Sequence, residues 1–201
     1  MSERMRYIGI DPGGSGGFAV VDDHGAAWCC PMPRTPKGIL AVFERITENR
    51  TRKCVAVLEH VWSSPGWGHA GAFTFGKSFG ALEAYLVSFE IPYELVVPVK
   101  WQNVMQCRTP KDRRDELGHA DKNINKARAA ALFERQGFRV THAIADALLL
   151  AAYCRHVFGS QLPFTSAKDE PRTHGKARRT KQGKARGQAQ EQEGCSSGSA
   201  A

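Results

Sequence analysis

The sequence predicts an α/β protein built on a mixed β-sheet with helices packed against it. Three short apolar stretches typical of strands come first with no helix between them, which indicates antiparallel pairing. Strand-like and helix-like stretches then alternate, which indicates parallel strands joined by helices. A chain of 201 residues is long enough for one domain with a full hydrophobic core.

The individual elements follow from turn chemistry and apolar periodicity. The sequence DDHG between the second and third strands is typical of a hairpin turn. The stretch KCVAVLEHV is almost uninterruptedly apolar, as expected of a strand buried on both faces. Apolar residues at steps of three and four predict the helices. In order, the predicted elements are strands RYIGID, GFAVVD and AAWCC, helix 37–49, strand 53–61, helix 71–90, strand 91–98, and helices over about 99–105, 121–136 and 143–158.

Charge and composition divide the chain into two parts. The net charge of +8 favours a polyanionic partner, most often nucleic acid. We expect a folded domain over 1–162 and a basic, disordered tail over 163–201, because the tail has too few apolar residues to bury. The tail holds eight of the 28 Lys and Arg residues, so it either attracts phosphate groups or only solubilises the chain.

Several classes of protein are disfavoured by composition. No apolar run approaches the roughly 20 residues that a membrane span needs, and the N-terminus has no signal-like hydrophobic region. The six cysteines fit neither a zinc cluster nor a compact disulfide framework, which favours a reducing compartment. We therefore expect a cytoplasmic protein with no membrane partner.

The stretch YIGIDPGGSGG places Asp11 at the end of the first strand, directly before a glycine-rich loop. Such a loop is compatible with a tight turn, a phosphate-binding loop or a metal-binding acid at a strand tip. It lacks the GxxxxGK[ST] pattern of a P-loop. A sugar-kinase or actin-like phosphate loop would need two duplicated domains, for which about 160 folded residues are too few.

Two further acids are expected near Asp11. Glu59 ends the fourth predicted strand, and Asp146 lies at the start of the last helix, four residues after His142. If the first and fourth strands are parallel neighbours, Asp11 and Glu59 leave the sheet at the same edge, where open α/β sheets place their sites. Together the acids form the hard-oxygen cluster that Mg²⁺ or Mn²⁺ prefers. Each acid alone also has an ordinary structural explanation, such as a favourable charge in a first helical turn.

At this point the sequence resembles the RuvC-type Holliday-junction resolvases of the ribonuclease-H-like superfamily, particularly their bacteriophage-like branch. The similar segments lie in the family's order over most of residues 5–158, and they are IGIDPGGSGG, LEHVWSSPGWGHAGAFTFGKSFGALEAYL, IPYELVVPVKWQNVM, KARAAALF and HAIADALLLAAY. The resemblance implies a five-stranded mixed sheet with helices on both faces. It also implies a crossover junction endodeoxyribonuclease, which hydrolyses phosphodiesters to leave 5′-phosphate and 3′-hydroxyl ends.

The resemblance assigns the site residues as well. Asp11, Glu59 and Asp146 correspond to metal ligands for Mg²⁺, with Mn²⁺ as a substitute and two ions per site. Many family members carry a further Asp three residues before the last acid, where this chain has Ala143. His142 is the candidate fourth ligand, and its binding would depend more strongly on pH.

DNA contacts are the next implication of the resemblance. An aromatic residue three positions beyond the central Glu lies against unpaired bases in the family, and Trp62 occupies that position here, with Trp67 nearby. Stacking on such rings is sequence-tolerant. Both tryptophans could instead cover the core. The lysines expected near the scissile phosphate are Lys100, Lys122 and Lys126, of which Lys100 is offset by about two positions from the family's site.

The helix over 71–90 carries Gly76 and Gly80 on one strip. Glycine in a helix costs about 1 kcal/mol relative to alanine, which indicates a close neighbour. That neighbour is either the same helix of a second subunit, as in the family's homodimer, or the protein's own sheet.

The sequence therefore predicts a metal-dependent endonuclease that nicks branched DNA, as a homodimer making paired cuts in four-way junctions. Two alternatives stay open. One is a nuclease of the same scaffold that acts on forks, RNA–DNA hybrids or other DNA. The other is a junction-binding protein whose site has decayed at Ala143.

Overall fold

The computed structural model of the chain describes residues 4–62 and 68–159. Its strands are β1 (Arg6–Asp11), β2 (Gly17–Asp22), β3 (Ala27–Pro31), β4 (Cys54–Glu59) and β5 (Tyr93–Val96). Its helices are α1 (Pro36–Thr47), α2 (His69–Ser88), α3 (Pro98–Val104), α4 (Lys111–Leu117), α5 (Lys122–Phe133) and α6 (His142–Phe158), with a short 3₁₀ helix (Glu134–Gln136) after α5. The predicted tail over 163–201 lies outside the described residues.

All five strands belong to one mixed sheet in the order β3, β2, β1, β4, β5. The pairs β1–β2 and β2–β3 are antiparallel, whereas β1–β4 and β4–β5 are parallel. The predicted fold class, with an antiparallel start followed by strand–helix–strand units, is confirmed. Because β1 and β4 are parallel neighbours at the centre, their carboxyl ends lie side by side.

Side chains of the central strands alternate between two hydrophobic layers. Ile8 and Ile10 of β1 pack into a cluster with buried residues of α1 and α2. Tyr7 of β1 belongs to the cluster on the opposite face, together with buried residues of α3, α5 and α6. Both faces of the sheet are therefore covered by helices, which explains why β4 is apolar along its whole length.

Helix α6 lies directly against the centre of the sheet. A Cβ atom at Gly9 of β1 would fall 2.2 Å from the backbone nitrogen of Ala151 and 2.3 Å from the carbonyl oxygen of Ala147. At Gly17, the first residue of β2, a Cβ would fall 2.7 Å from the carbonyl oxygen of Ala143. These two glycines allow the helix to approach the backbone of the sheet, and they thereby fix the position of its first turn.

Helix α2 has a strip of small residues that faces away from the protein's own sheet. A Cβ atom at Gly76 or Gly80 would meet no atom within 4 Å. The exposed side chains of Phe73 and Val87, 74% and 66% accessible, lie along the same helix. Packing of these glycines against the chain's own sheet, one of the two sequence interpretations, is therefore wrong.

Element boundaries agree with the predictions to within about three residues, apart from one missing helix. The segment KDRRDEL forms α4, which has no buried residue and so gives no apolar periodicity to detect. It ends at Gly118, whose φ of 71° is the left-handed conformation typical of a helix C-terminus. Within the part of the chain that the structure describes, no helix is long and apolar enough to cross a membrane.

Candidate active site

Asp11 and Glu59 meet at the carboxyl edge of the sheet. Each is the last residue of its strand, and the preceding residues, Ile10 and Leu58, are paired in the parallel register of β1 and β4. The two carboxyl groups share a hydrogen bond, which raises the pKa of Asp11 and lowers that of Glu59. Glu59 is only 7% exposed, whereas Asp11 is half-buried. The predicted neighbourhood of these two acids is thus present in the structure.

The third acid, Asp146, reaches the same place from the opposite direction. It lies on the second turn of α6, which begins at His142, and its charge acts on both Asp11 and Glu59. The close contact between α6 and the sheet brings this turn over the strand ends. The three acids predicted from sequence therefore form one cluster at the carboxyl edge.

The glycine-rich loop after β1 wraps tightly around Asp11. At Gly16 a Cβ atom would fall 2.1 Å from the carbonyl oxygen of Asp11 and 2.9 Å from its carboxyl carbon. Gly13 has a φ of 103°, a conformation that side chains other than glycine rarely adopt. Gly14 is exposed and has open space around it. The glycines thus let the chain reverse against the acid while leaving the outer side of the loop accessible.

The environment favours protonation of all three acids. Burial, followed by the negative charges of Glu59 and Asp146, raises the pKa of Asp11 well above its usual range. Burial also raises the pKa of Glu59 to about 7 and shifts that of Asp146 upward. Lys122, at the start of α5, opposes these shifts at every one of the three. Three largely buried carboxyl groups that share this lysine therefore have a deficit of positive charge around them.

Two buried neutral donors fix two of the acids. The indole Nε1–H of Trp101, on α3, donates to Oε1 of Glu59 over 2.8 Å, and Nδ2 of Asn125, on α5, donates to Oδ1 of Asp146 over 2.8 Å. Each hydrogen bond lowers the pKa of its acid against the effect of burial. The sequence interpretation missed both donors. A usable signal was available for Trp101, because a buried indole N–H needs an acceptor and α3 directly follows the strand next to β4.

The basic residues predicted for the site differ in their relation to the acid cluster. The charge of Lys122 acts on all three acids of the cluster, and its place near a scissile phosphate stays a prediction. Lys100 forms an ion pair with Glu94 over 2.6 Å on the β5 side of the sheet. Lys126 lies one turn beyond Lys122 on α5 and is half-buried. His142 is exposed, and its charge lowers the pKa of Asp146.

Aromatic side chains form a group directly after Glu59. The Trp62 side chain is 72% exposed, and its ring centroid lies 4.4 Å from that of His60. Phe79 of α2 lies 6.0 Å from His60 and 6.1 Å from Phe75, which contacts the glycine loop at Gly13. Trp62 is therefore not a core residue, which excludes one of its two interpretations. Trp67, the other candidate, lies outside the described residues.

The donor set at this edge fits a hard divalent cation by its chemistry. Asp11, Glu59 and Asp146 supply carboxylate oxygens, and a divalent cation would offset the burial and the repulsion by neighbouring acids that raise the pKa values of Asp11 and Glu59. Among the residues that the structure describes, no three His, Cys, Asp or Glu side chains are already gathered into a metal-binding group. A cation would therefore have to draw the acids together and displace the proton between Asp11 and Glu59.

Comparison with solved structures identifies a similar fold. RuvC from Thermus thermophilus in complex with a Holliday junction substrate matches with a TM-score of 0.51 and 17% sequence identity, over 78% of this chain and 97% of that chain. The chain has a ribonuclease-H-like fold. A second T. thermophilus RuvC structure matches at 16% identity and a TM-score of 0.48, over 78% of this chain and 96% of the other. No protein-family model matches the chain, and no curated protein matches it.

Proposed function

We propose that this protein is a divalent-metal-dependent endonuclease of the RuvC kind that nicks branched DNA. The observation that carries the proposal is the cluster of Asp11, Glu59 and Asp146 at the carboxyl edge of β1 and β4, with Lys122 beside it. Buried acids with raised pKa values are a common property of catalytic sites. The net charge of +8 agrees with a polyanionic substrate.

In this proposal the three acids hold two Mg²⁺ ions, or Mn²⁺ in their place. The bound ions would neutralise the phosphodiester and activate water for in-line attack, leaving 5′-phosphate and 3′-hydroxyl ends. The protein's own groups have separate roles. Lys122 contributes positive charge at the phosphate, and His142, at the start of α6, takes the position of a fourth ligand beside Asp146.

Branched DNA is the proposed substrate because of the exposed aromatic group next to Glu59. Trp62 is 72% exposed beside His60, directly after Glu59, so its ring is accessible to a ligand. An unpaired base at a branch point can stack on such a ring, which is worth roughly 1–3 kcal/mol per base. The solved relative of this fold is itself described in complex with a Holliday junction substrate.

Paired cutting is proposed through a homodimer. The strip of Gly76 and Gly80 on α2 is exposed and flanked by Phe73 and Val87, so the same helix of a second subunit could approach closely. A two-fold dimer presents two sites to the opposed strands of a two-fold junction. Homodimerisation and the bacteriophage-like branch belong to the proposal and depend on its tests.

The test is strand nicking by the purified full chain with Mg²⁺. Labelled substrates are a four-way junction, a fork, an RNA–DNA hybrid and a linear duplex of equal length. Asp11→Asn removes one acid of the cluster, and Asp115→Asn makes the same chemical change at an exposed position of α4. We expect paired symmetric nicks in the junction for the wild type and Asp115→Asn, and none for Asp11→Asn.

Three other outcomes would change the assignment. Cutting of the fork or hybrid alone would keep the acid cluster as the active site and change the substrate. Tight junction binding without cutting, in both Mg²⁺ and Mn²⁺, would identify a binding protein whose site is disabled by Ala143. Equal cutting by Asp11→Asn and the wild type would remove the acid cluster from the reaction.

A further inference from the structure

The indole of Trp101 is held in place before it contacts Glu59. The side chain is fully buried, in a hydrophobic cluster with Val96, Cys107 and Tyr153. Pro98, the first residue of α3, starts the helix directly after β5, so the ring lies beneath the end of the neighbouring strand β4. The indole therefore has little freedom to follow Glu59 if that side chain moves.

The hydrogen bond from Trp101 to Glu59 has two properties that suit a carboxylate that binds a metal ion. The indole N–H is a hydrogen-bond donor only. It can therefore donate to an oxygen of Glu59 but cannot accept a hydrogen bond from a protonated acid. It is also neutral, so it does not cancel the negative charge of Glu59 when that side chain is ionised. A lysine or arginine at this position would instead compete with a cation for that charge. Oε1 of Glu59 is thus occupied over 2.8 Å, and the same carboxyl group also shares a hydrogen bond with Asp11.

The same arrangement is found at a second acid. Asn125 is 7% exposed and donates one amide N–H to Oδ1 of Asp146 over 2.8 Å. Two acids from different elements therefore each receive one buried neutral hydrogen bond, from α3 and from α5. The repetition indicates that these hydrogen bonds orient the two carboxylates.

We propose that Trp101 is a positioning residue for Glu59: its indole N–H holds one carboxylate oxygen so that the other faces the cation site. This inference rests on the metal-dependent function proposed above. It adds a residue that touches neither DNA nor cation and acts only through Glu59.

Trp101→Phe in the full chain tests the inference, because it keeps an aromatic ring in the core and removes the donor, together with one ring of the indole. The matched control is Trp28→Phe, on β3, where the indole stacks under Arg45 away from the acids. Binding of Mn²⁺ alone is measured from the free ion by electron paramagnetic resonance. We expect Trp101→Phe to bind Mn²⁺ about 10-fold more weakly or worse, and Trp28→Phe to match the wild type.

A second measurement uses the unaltered protein and does not depend on the folding of a variant. In the wild type with ¹⁵N-labelled tryptophan, the indole N–H resonance of Trp101 should shift as Mg²⁺ saturates the site, while that of Trp28 stays constant. A purely structural tryptophan would give no such shift. A resonance that does not move, or a folded Trp101→Phe that binds Mn²⁺ as the wild type does, overturns the proposal.

The outcomes also separate this inference from the proposed function. A shift of the Trp101 resonance and weakened Mn²⁺ binding, without cutting of any DNA, would support positioning while the nuclease assignment fails. Normal cutting with unaffected binding in Trp101→Phe would leave the nuclease assignment and remove the role of Trp101. If the wild type binds neither cation, both proposals are wrong.

Discussion

Replacing Glu59 by glutamine should stabilise the metal-free protein at alkaline pH. The pKa of Glu59 is raised from an ordinary 4.5 to about 7, chiefly by burial, and each pKa unit is worth about 1.4 kcal/mol, so ionising this side chain in the folded protein costs up to about 3 kcal/mol. Because the pKa is higher in the folded chain, the stability from Glu59 is fully present below about pH 4.5 and is lost as the pH rises through about 7. The glutamine side chain stays neutral and keeps an oxygen for the Trp101 N–H.

Urea unfolding in the presence of a chelator measures this effect. The free energy of unfolding of Glu59→Gln minus that of the wild type should be near zero at about pH 4 and grow to about 3 kcal/mol at about pH 8. Glu44→Gln, an exposed position on α1, should stay within about 0.5 kcal/mol of the wild type throughout. Added Mg²⁺ should then stabilise the wild type more than Glu59→Gln, because the variant has lost one carboxylate ligand.

One result would refute this reasoning about the cluster. A difference between Glu59→Gln and the wild type that does not change from about pH 5 to about pH 8 would show that ionised Glu59 is not destabilising in the folded protein. A divalent cation would then have no electrostatic destabilisation at Glu59 to relieve.

Three further predictions follow from the packing and from the aromatic group. Gly9→Ala should lower the free energy of unfolding by about 3 kcal/mol, because its Cβ would overlap the backbone of α6, whereas Gly14→Ala, in open space, should change it by less than about 0.5 kcal/mol in the same urea titration. Burial and the hydrogen bond to Asp23 raise the pKa of Tyr7 to about 12, so wild-type stability should fall as the pH rises from about 10 to about 12, and Tyr7→Phe should remove that part of the slope. Trp62→Ala should weaken four-way junction binding by roughly 1–3 kcal/mol in a filter-binding titration while leaving linear-duplex binding and thermal stability unchanged; equal weakening on both DNAs would contradict base stacking.

Much of the fold could be predicted because its sequence signals are local. The apolar runs of β1 and β4 each end at an acid, so Asp11 and Glu59 could be placed at one edge of the sheet. The apolar periodicity of α6 placed Asp146 near the start of that helix. These signals depend on the strand and helix repeats, which are fixed by backbone geometry. The proximity of the three acids could therefore be predicted from the sequence.

The parts that were not predictable depend on contacts between distant residues. The sequence indicates that a buried Trp101 needs an acceptor for its N–H, but only the packing of α3 beside β4 shows that this acceptor is Glu59. Asn125 meets Asp146 for a similar reason, across two helices. The helix α4 was missed because all of its residues are exposed or half-buried, so no repeat appears in KDRRDEL.

The glycines of α2 show a further difference between sequence and structure. A glycine in a helix indicates a close neighbour but not which one, so the sequence left two interpretations for Gly76 and Gly80. The structure excludes the chain's own sheet by the open space around both positions. A neighbour of this strip would have to come from another molecule. Contacts between molecules leave no local pattern in a single sequence from which they could be predicted.

The direct contact between α6 and Gly9 couples the assembly of the acid cluster to the completion of folding. The acids are contributed from positions 11, 59 and 146, and the last of them belongs to α6, which packs across the centre of one face of the sheet. Joining such distant segments requires closing a long loop, which costs chain entropy and slows folding. A chain in which α6 has not yet docked has both an open core and an incomplete acid cluster. If the cluster cuts DNA as proposed, the nascent or partly unfolded protein is unable to do so even without an inhibitor, because the docking event that stabilises the molecule also completes its active site.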